Sequence, residues 1–82
     1  MTKIINQDTF QSFDLGLVGA LLTDGFKLVS LDKTNPKKVS FHFAHEDGIQ
    51  EAAVDYFSND FQVDAQTYFN HIKSLKNRIY SD

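Results

Sequence analysis

The segment from His42 to Asp47 holds the residue types that most often bind metal ions, namely His42, His45, Glu46 and Asp47. Side chains alternate between the two faces of a strand, so His42 and His45, three residues apart, would point to opposite sides. No third ligand follows at the spacing of a known metal motif, and His71 is distant in the sequence. We therefore predict no metal site: His42 lies on the open face of a sheet, while His45 and Asp47 cap the next helix.

Acid–base and nucleophilic catalysis need groups that this chain does not bring together. A general acid or base is a titratable group held in a cleft with a shifted pKa. The aspartates at 14, 24, 47 and 64 all stand where helix caps or loops account for them. The sequence has no cysteine, no glycine-rich phosphate loop and no serine nucleophile elbow. These features predict a non-catalytic protein without a cofactor.

The C-terminal segment has the residues best suited to contact a nucleic acid. Phe69, Lys73, Lys76 and Tyr80 fall within about 60° of one another on a helix, and Arg78 adds a cation. Aromatic rings can stack on bases while cations meet phosphates. The simpler interpretation is that Phe69 edges the core and the lysine stems lie over it. Since the net charge is −3, we keep nucleic-acid binding as the alternative.

Size and composition favour one small domain over residues 1–82. The chain is 41% hydrophobic and contains eight phenylalanines. A domain of this size buries only about 60–65% of its unfolded surface, so a few large side chains must build the core. The longest apolar-rich run, residues 15–22, is shorter than the roughly 20 residues that span a bilayer. We expect no membrane association, no export signal and a cytoplasmic location.

Hydrophobic periodicity predicts three helices and a small antiparallel sheet. The first helix covers about residues 15–24, with Asp14 as N-cap and Gly25 in the left-handed position after its end. The second covers about 46–58, and the third begins after Asp64. Residues 26–33 and 39–44 form a hairpin, and a first strand lies at Lys3–Ile5 or Thr9–Phe13. The predicted fold is α+β, order (β)αββαα, with helices covering one face of a two- or three-stranded sheet.

The second hairpin strand and the second and third helices each have an apolar face. Val39, Phe41 and Phe43 alternate along the second hairpin strand, with Ser40 and His42 on its other face. The stripe of the second helix comprises Ile49, Ala52, Ala53, Tyr56 and Phe57, and that of the third comprises Tyr68, Ile72, Leu75 and Ile79. These side chains are the predicted core.

The first helix is apolar on most sides, apart from its two glycines. Either the sheet or the third helix approaches closely over Gly16 and Gly19, or Leu17 and Ala20 remain exposed. Burial within the chain is the favoured outcome. If they are exposed, Leu17 and Ala20 are candidate protein-binding residues, together with Val54, which lies outside the stripe of the second helix.

The order and spacing of many residues between positions 10 and 81 carry a family resemblance. They are Phe10, Ser12, Asp14-Leu15, Leu17, Leu21, Gly25-Phe26-Lys27-Leu28, Val39, Phe41, Phe43, Tyr56-Phe57, Val63-Asp64, Ile72-Lys73, Leu75-Lys76 and Ile79-Tyr80-Ser81. This arrangement resembles a small family common in bacteriophages and prophages, known only as a domain of unknown function. Val18-Gly19 departs from its pattern. The resemblance implies a phage or mobile-element origin and action in the cytosol of an infected host, but no activity.

The function predicted from the sequence is therefore binding. We expect a small phage-type accessory protein that binds a host or phage protein, or a second copy of itself as a homodimer. An acidic chain without catalytic groups, but with an unusually apolar first helix, motivates this expectation.

Overall fold

A computed structural model of the chain describes residues 9–35 and 37–81, along which three strands and three helices follow one another. The elements are β1 (Thr9–Ser12), α1 (Leu15–Thr23), β2 (Leu28–Asp32), β3 (Ser40–Ala44), α2 (Ile49–Phe57) and α3 (Ala65–Tyr80). Their order confirms the predicted α+β class and the three-stranded version of the sheet. Of the two positions predicted for the first strand, Thr9–Phe13 is the one observed. Lys3–Ile5, and Pro36 of the predicted turn, lie outside the described residues.

The sheet has the strand order β1-β3-β2, so β3 is central and pairs with an antiparallel neighbour on each side. Pairing of β2 with β3 confirms the predicted hairpin. Phe41 and Phe43 of β3 are both fully buried, as their alternation predicts. The central strand therefore supplies the largest side chains of the core.

A bulge in β2 changes which of its side chains face outward. The register shifts between Leu28 and Ser30, leaving Val29 as the extra residue opposite β3. Because of this insertion, Leu28 and Leu31 both pack against the core, although residues three apart on a regular strand face opposite sides. Val29 is left exposed.

Both ends of α1 form as the sequence predicts. The Asp14 carboxylate accepts a hydrogen bond of 3.0 Å from the backbone N–H of Leu17, which has no partner inside the helix. At the other end Gly25 has a φ of +104°, and the N–H of Phe26 donates to the carbonyl of Leu21 at 3.0 Å. This is the Schellman ending, in which a left-handed residue closes the helix.

The glycine side of α1 is covered by the other two helices. A Cβ atom on Gly19 would meet the side chains of Ile72 and Tyr68 from α3, and one on Gly16 would meet the Tyr56 hydroxyl from α2. Tyr68 also donates its hydroxyl proton to the Gly16 carbonyl at 3.1 Å. Close approach of the third helix over the glycines is therefore confirmed.

The start of α2 differs from the prediction. The helix begins at Ile49 rather than at Glu46, because Gly48 has a φ of +90° and a left-handed residue cannot continue a right-handed helix. Gly48 is the N-cap residue, with no side-chain cap, so the prediction that His45 and Asp47 cap this helix is wrong. The Glu46 carboxylate instead accepts from the backbone N–H of Lys27, at 3.2 Å.

α3 begins as predicted and closes the core. Asp64 is its N-cap and accepts from both the backbone N–H and the hydroxyl of Thr67, at 2.9 and 2.7 Å. These bonds lower the pKa of the Asp64 carboxyl below its ordinary value, since they favour the ionised form. The buried hydrophobic core among the described residues consists of Leu17, Val18, Leu21, Phe41, Phe43, Ile49, Ala52, Ala53 and Leu75.

Candidate functional site

The residues predicted to bind a protein partner separate into two groups in the structure. Leu17 and Ala20 are only 2% and 1% exposed, because α2, α3 and the sheet enclose α1. Burial within the chain, the favoured outcome, is confirmed, so neither side chain is accessible to a partner in the folded domain and neither can serve as a protein-binding residue. Val54 is 63% exposed and remains a candidate.

Val54 has a large aromatic neighbour on the outer side of α2. Phe57, three residues further on, is 64% exposed, and side chains three apart are neighbours on a helix surface. Glu51 stands one turn before Val54, and Asp55 lies beside it; both are exposed. We call these four residues, Glu51, Val54, Asp55 and Phe57, the α2 ridge. An open hollow of about 300 Å³ lies beside the first three of these residues and is lined by Gln50, Glu51, Val54 and Asp55.

The Phe57 ring contacts one other aromatic ring, which in turn contacts a second. The ring of Tyr56 meets it edge to face, with centroids 5.1 Å apart, and Phe61 meets Tyr56 in the same manner at 6.5 Å. Burial raises the pKa of the Tyr56 phenol above its ordinary value, because the charged form would lose hydration. The cluster therefore keeps a neutral, apolar base under an exposed phenylalanine.

The sequence places Phe57 in the core stripe of α2, and that prediction is wrong. Phe57 is the last residue of the helix, and Asn59, with a φ of +64°, turns the chain away directly afterwards. The end of the stripe therefore lies beyond the edge of the core. The turn-forming residues Ser58, Asn59 and Asp60 are the sequence feature that indicates the end of α2.

The alternative nucleic-acid residues lie along the exposed side of α3, but only two are brought together. The Lys73 ammonium group lies 5.5 Å from the centre of the Phe69 ring. Phe69 is 59% exposed, so the prediction that it edges the core is wrong, although a lysine does lie over its ring. Phe69, Lys76, Arg78 and Tyr80 are all exposed. About 16 Å of helix separates Phe69 from Tyr80, at 1.5 Å per residue.

His42 lies on the sheet face away from the helices, as predicted. Its Nε2 is 3.2 Å from the hydroxyl oxygen of Ser40. Asp32, beside them on β2, accepts at 2.9 Å from the backbone N–H of Thr34, and hydrogen bonds from Thr34 lower the pKa of its carboxyl. Within residues 9–35 and 37–81, no three histidine, aspartate or glutamate side chains are grouped so that they could hold a metal ion.

No helix in the described part of the chain combines the length and the apolar character needed to cross a membrane. A family model with the description Domain of unknown function (DUF5659) matches residues 7–81. No curated protein and no solved structure matches the chain. The comparisons therefore establish a family without an assigned activity, and the surface of the molecule must supply the functional hypothesis.

Proposed function

We propose that this chain, which belongs to the family described as Domain of unknown function (DUF5659), is a non-catalytic module that binds another protein through the α2 ridge. The observation that carries the proposal is the exposure of Val54 and Phe57 side by side on one turn of α2. Single exposed apolar residues are common on protein surfaces, whereas contiguous exposed apolar patches mark contact sites.

The packing behind Phe57 supports the proposal. An aromatic ring that is already in place loses little conformational entropy on binding, so more of the contact energy is available for affinity. Edge-to-face contact with Tyr56 at 5.1 Å restrains the Phe57 ring in the unbound protein. Phenylalanine is, with tyrosine and tryptophan, enriched in protein–protein interfaces relative to the rest of the surface.

The charges of the ridge indicate the chemistry of the partner. Glu51 and Asp55 flank Val54, and no described lysine or arginine lines the hollow beside it. A complementary protein surface would have an apolar cleft for Phe57, with lysine or arginine at its rim. Such charge complementarity raises the association rate and excludes partners that carry the same charge.

The proposal also includes the cellular compartment in which the binding takes place. The resemblance to phage and prophage proteins suggests action in the cytosol of an infected host cell. The absence of cysteine agrees with a reducing compartment. In this setting the partner is a host protein, another phage protein or a second copy of the chain.

Affinity capture with matched variants tests the proposal. Phe57→Ala removes the exposed ring of the ridge, and Phe69→Ala removes an exposed ring of similar accessibility, 59%, on α3. We expect the wild type and Phe69→Ala to retain the same partner, and Phe57→Ala to lose it. The purified partner should then bind the wild type less tightly as salt rises, because Glu51 and Asp55 contribute electrostatically. Equal retention by all three proteins would reject the α2 ridge as the binding surface.

Light scattering distinguishes a separate partner from a second copy. If the ridge mediates self-association, the wild type and Val29→Glu form dimers whereas Val54→Glu is monomeric. Val29 is a matched control because it is 59% exposed but lies on β2. A dimer that persists in Val54→Glu would place self-association elsewhere.

A further inference from the structure

Aromatic and cationic side chains meet at the end of the sheet where the β2–β3 loop lies. Phe13, just after β1, is 55% exposed, and Tyr80, at the end of α3, is 82% exposed. The Lys38 ammonium group lies 4.7 Å from the centre of the Phe13 ring. Lys37 is next to it in the chain and is also exposed. We call Phe13, Lys37, Lys38 and Tyr80 the sheet-end surface.

Two hollows adjoin at Phe13 and Lys38, which line both of them. The first, about 280 Å³, extends over the open sheet face to Ser40 and His42. The second, about 360 Å³, extends past Lys37 to Tyr80. An elongated ligand could therefore pass from the sheet face, over the Phe13 ring, to the Tyr80 ring.

The local charge at the sheet-end surface is positive, whereas the net charge of the chain is negative. The net charge is −3, but the charged residues lining the two hollows are Lys37, Lys38 and Asp32, two cations against one carboxylate. Asp32 is turned into its own loop, since it accepts from the Thr34 N–H at 2.9 Å. Cations are thus concentrated at this end, while α2 carries the acidic ridge.

A lysine that follows β2 hydrogen-bonds to the backbone on either side of Tyr80. The Lys33 ammonium group donates to the carbonyl oxygens of Arg78 and Ser81, at 2.7 and 2.6 Å. These carbonyls flank Tyr80 at the end of α3, where carbonyl groups lack helical partners. The β2–β3 loop, which carries Lys37 and Lys38, and the end of α3, which carries Tyr80, are therefore hydrogen-bonded to each other in the unbound protein.

We propose that the sheet-end surface binds single-stranded nucleic acid. Bases would stack on Phe13 and Tyr80, and phosphates would meet Lys37 and Lys38, the combination by which single strands are bound without sequence preference. A base stacked on Phe13 would take the place of the Lys38 ammonium group over the ring, and that group could then meet the phosphate of the same nucleotide. The polar pair of Ser40 and His42 faces the next sugar or base edge along the sheet. This site goes beyond the protein-binding function and uses none of the α2 ridge residues.

Fluorescence anisotropy with labelled dT12 and rU12 oligonucleotides tests this site. We expect Phe13→Ala and Tyr80→Ala each to weaken binding at least about fivefold, the lower limit for loss of one stacked base. Lys37→Gln/Lys38→Gln should make the slope of log affinity against log salt shallower by about 1.4, which corresponds to two phosphate contacts on a single strand. Tyr80 is so exposed that its substitution leaves folding intact, which circular dichroism can verify.

The matched controls lie on the outer side of α3. Phe69→Ala and Lys73→Gln/Lys76→Gln remove an exposed ring and two lysines there, and we expect them to bind like the wild type. Equal binding of both oligonucleotides, or preference for either, supports the site and identifies the strand chemistry. Absence of binding to both at about 100 µM protein in low salt would overturn the proposal, since non-specific binding reaches at least this range. Loss of binding in the α3 controls alone would also overturn it.

Discussion

Gly19 of α1 lies so close to Ile72 of α3 that a Cβ atom on the glycine would stand 2.5 Å from the isoleucine Cδ1. The next atoms are Ile72 Cγ1 at 3.2 Å and Tyr68 Cε1 at 3.3 Å. Glycine destabilises a helix by about 1 kcal/mol relative to alanine. At position 19 this loss accompanies a close contact between α1 and α3 that a larger residue would obstruct. The contact sets how α3 packs on the buried helix.

Gly19→Ala should therefore destabilise the domain, although alanine favours the helix. The Cδ1 methyl ends a flexible side chain and can turn aside, but Ile72 Cγ1 and Tyr68 Cε1 would still lie closer than ordinary Cβ contacts. Overpacking costs about 1–3 kcal/mol, and we expect it to exceed slightly the propensity gain of about 1 kcal/mol. In an Ile72→Ala background both Ile72 contacts are absent and only the Tyr68 contact at 3.3 Å remains, so the same substitution should stabilise the protein. Urea denaturation of the four proteins in this double-mutant cycle measures the coupling, which we expect at about 1–2 kcal/mol. If the effects of Gly19→Ala and Ile72→Ala on the free energy of unfolding were additive, the two residues would not be energetically coupled.

Asp14→Ala should destabilise the domain by about 1 kcal/mol, because the N–H of Leu17 loses its hydrogen-bond acceptor. For a domain of this size the loss corresponds to a fall in Tm of about 4–8 °C. Asp14→Ser, which retains a capping oxygen, is the control and should remain close to the wild type. A Tm of Asp14→Ala equal to that of Asp14→Ser would contradict the capping role.

Asp64 should make stability depend on pH in the acid range. Bonds from Thr67 lower its pKa in the folded state below the ordinary value of 3.8, so the unfolded chain binds the proton more readily. The stability contributed by this carboxylate is present above 3.8 and is lost as the pH falls through the folded value. Urea midpoints measured from about pH 5 to pH 2.5 should decline less steeply in Asp64→Asn. If the urea midpoints of Asp64→Asn fell with pH as steeply as those of the wild type, the lowered pKa of Asp64 would be contradicted.

Lys33→Met should loosen the last turn of α3 with little effect on global stability. The substitution removes the donor to the Arg78 and Ser81 carbonyls while keeping an apolar stem of similar length. We expect faster hydrogen exchange at the amides around 78–81 and unchanged exchange in α1. Lys73→Met, which removes an exposed lysine elsewhere on α3, is the control. If the amides around 78–81 exchanged hydrogen at the same rate in Lys33→Met and Lys73→Met, Lys33 would not anchor the C-terminal end of α3.

The sequence was sufficient to predict several helix ends that local chemistry decides, but not the start of α2 at the left-handed Gly48. The caps of α1 at Asp14 and Gly25, and of α3 at Asp64, depend on residues within one turn, and all three were confirmed. Alternation in β3 likewise identified Phe41 and Phe43 as core. Membership of the family was also evident from residue order and spacing.

Features that depend on how the elements pack were not predictable from periodicity alone. Phe57 continues the apolar stripe of α2, and only the position of the helix end against the core leaves its ring outside. Phe13 and Tyr80, far apart in the sequence, come together through the packing of the sheet on α3. Their shared surface could not be recognised before the fold was known.

Site-specific photo-crosslinking at the α2 ridge tests the central claim most directly. A benzoylphenylalanine at position 57, in the full chain expressed in its native host, should give one discrete protein adduct after irradiation. The same probe at position 69 should give none, and Val54→Glu should abolish the adduct formed from position 57. No adduct from position 57, or the same adduct from both positions, would contradict binding through the ridge.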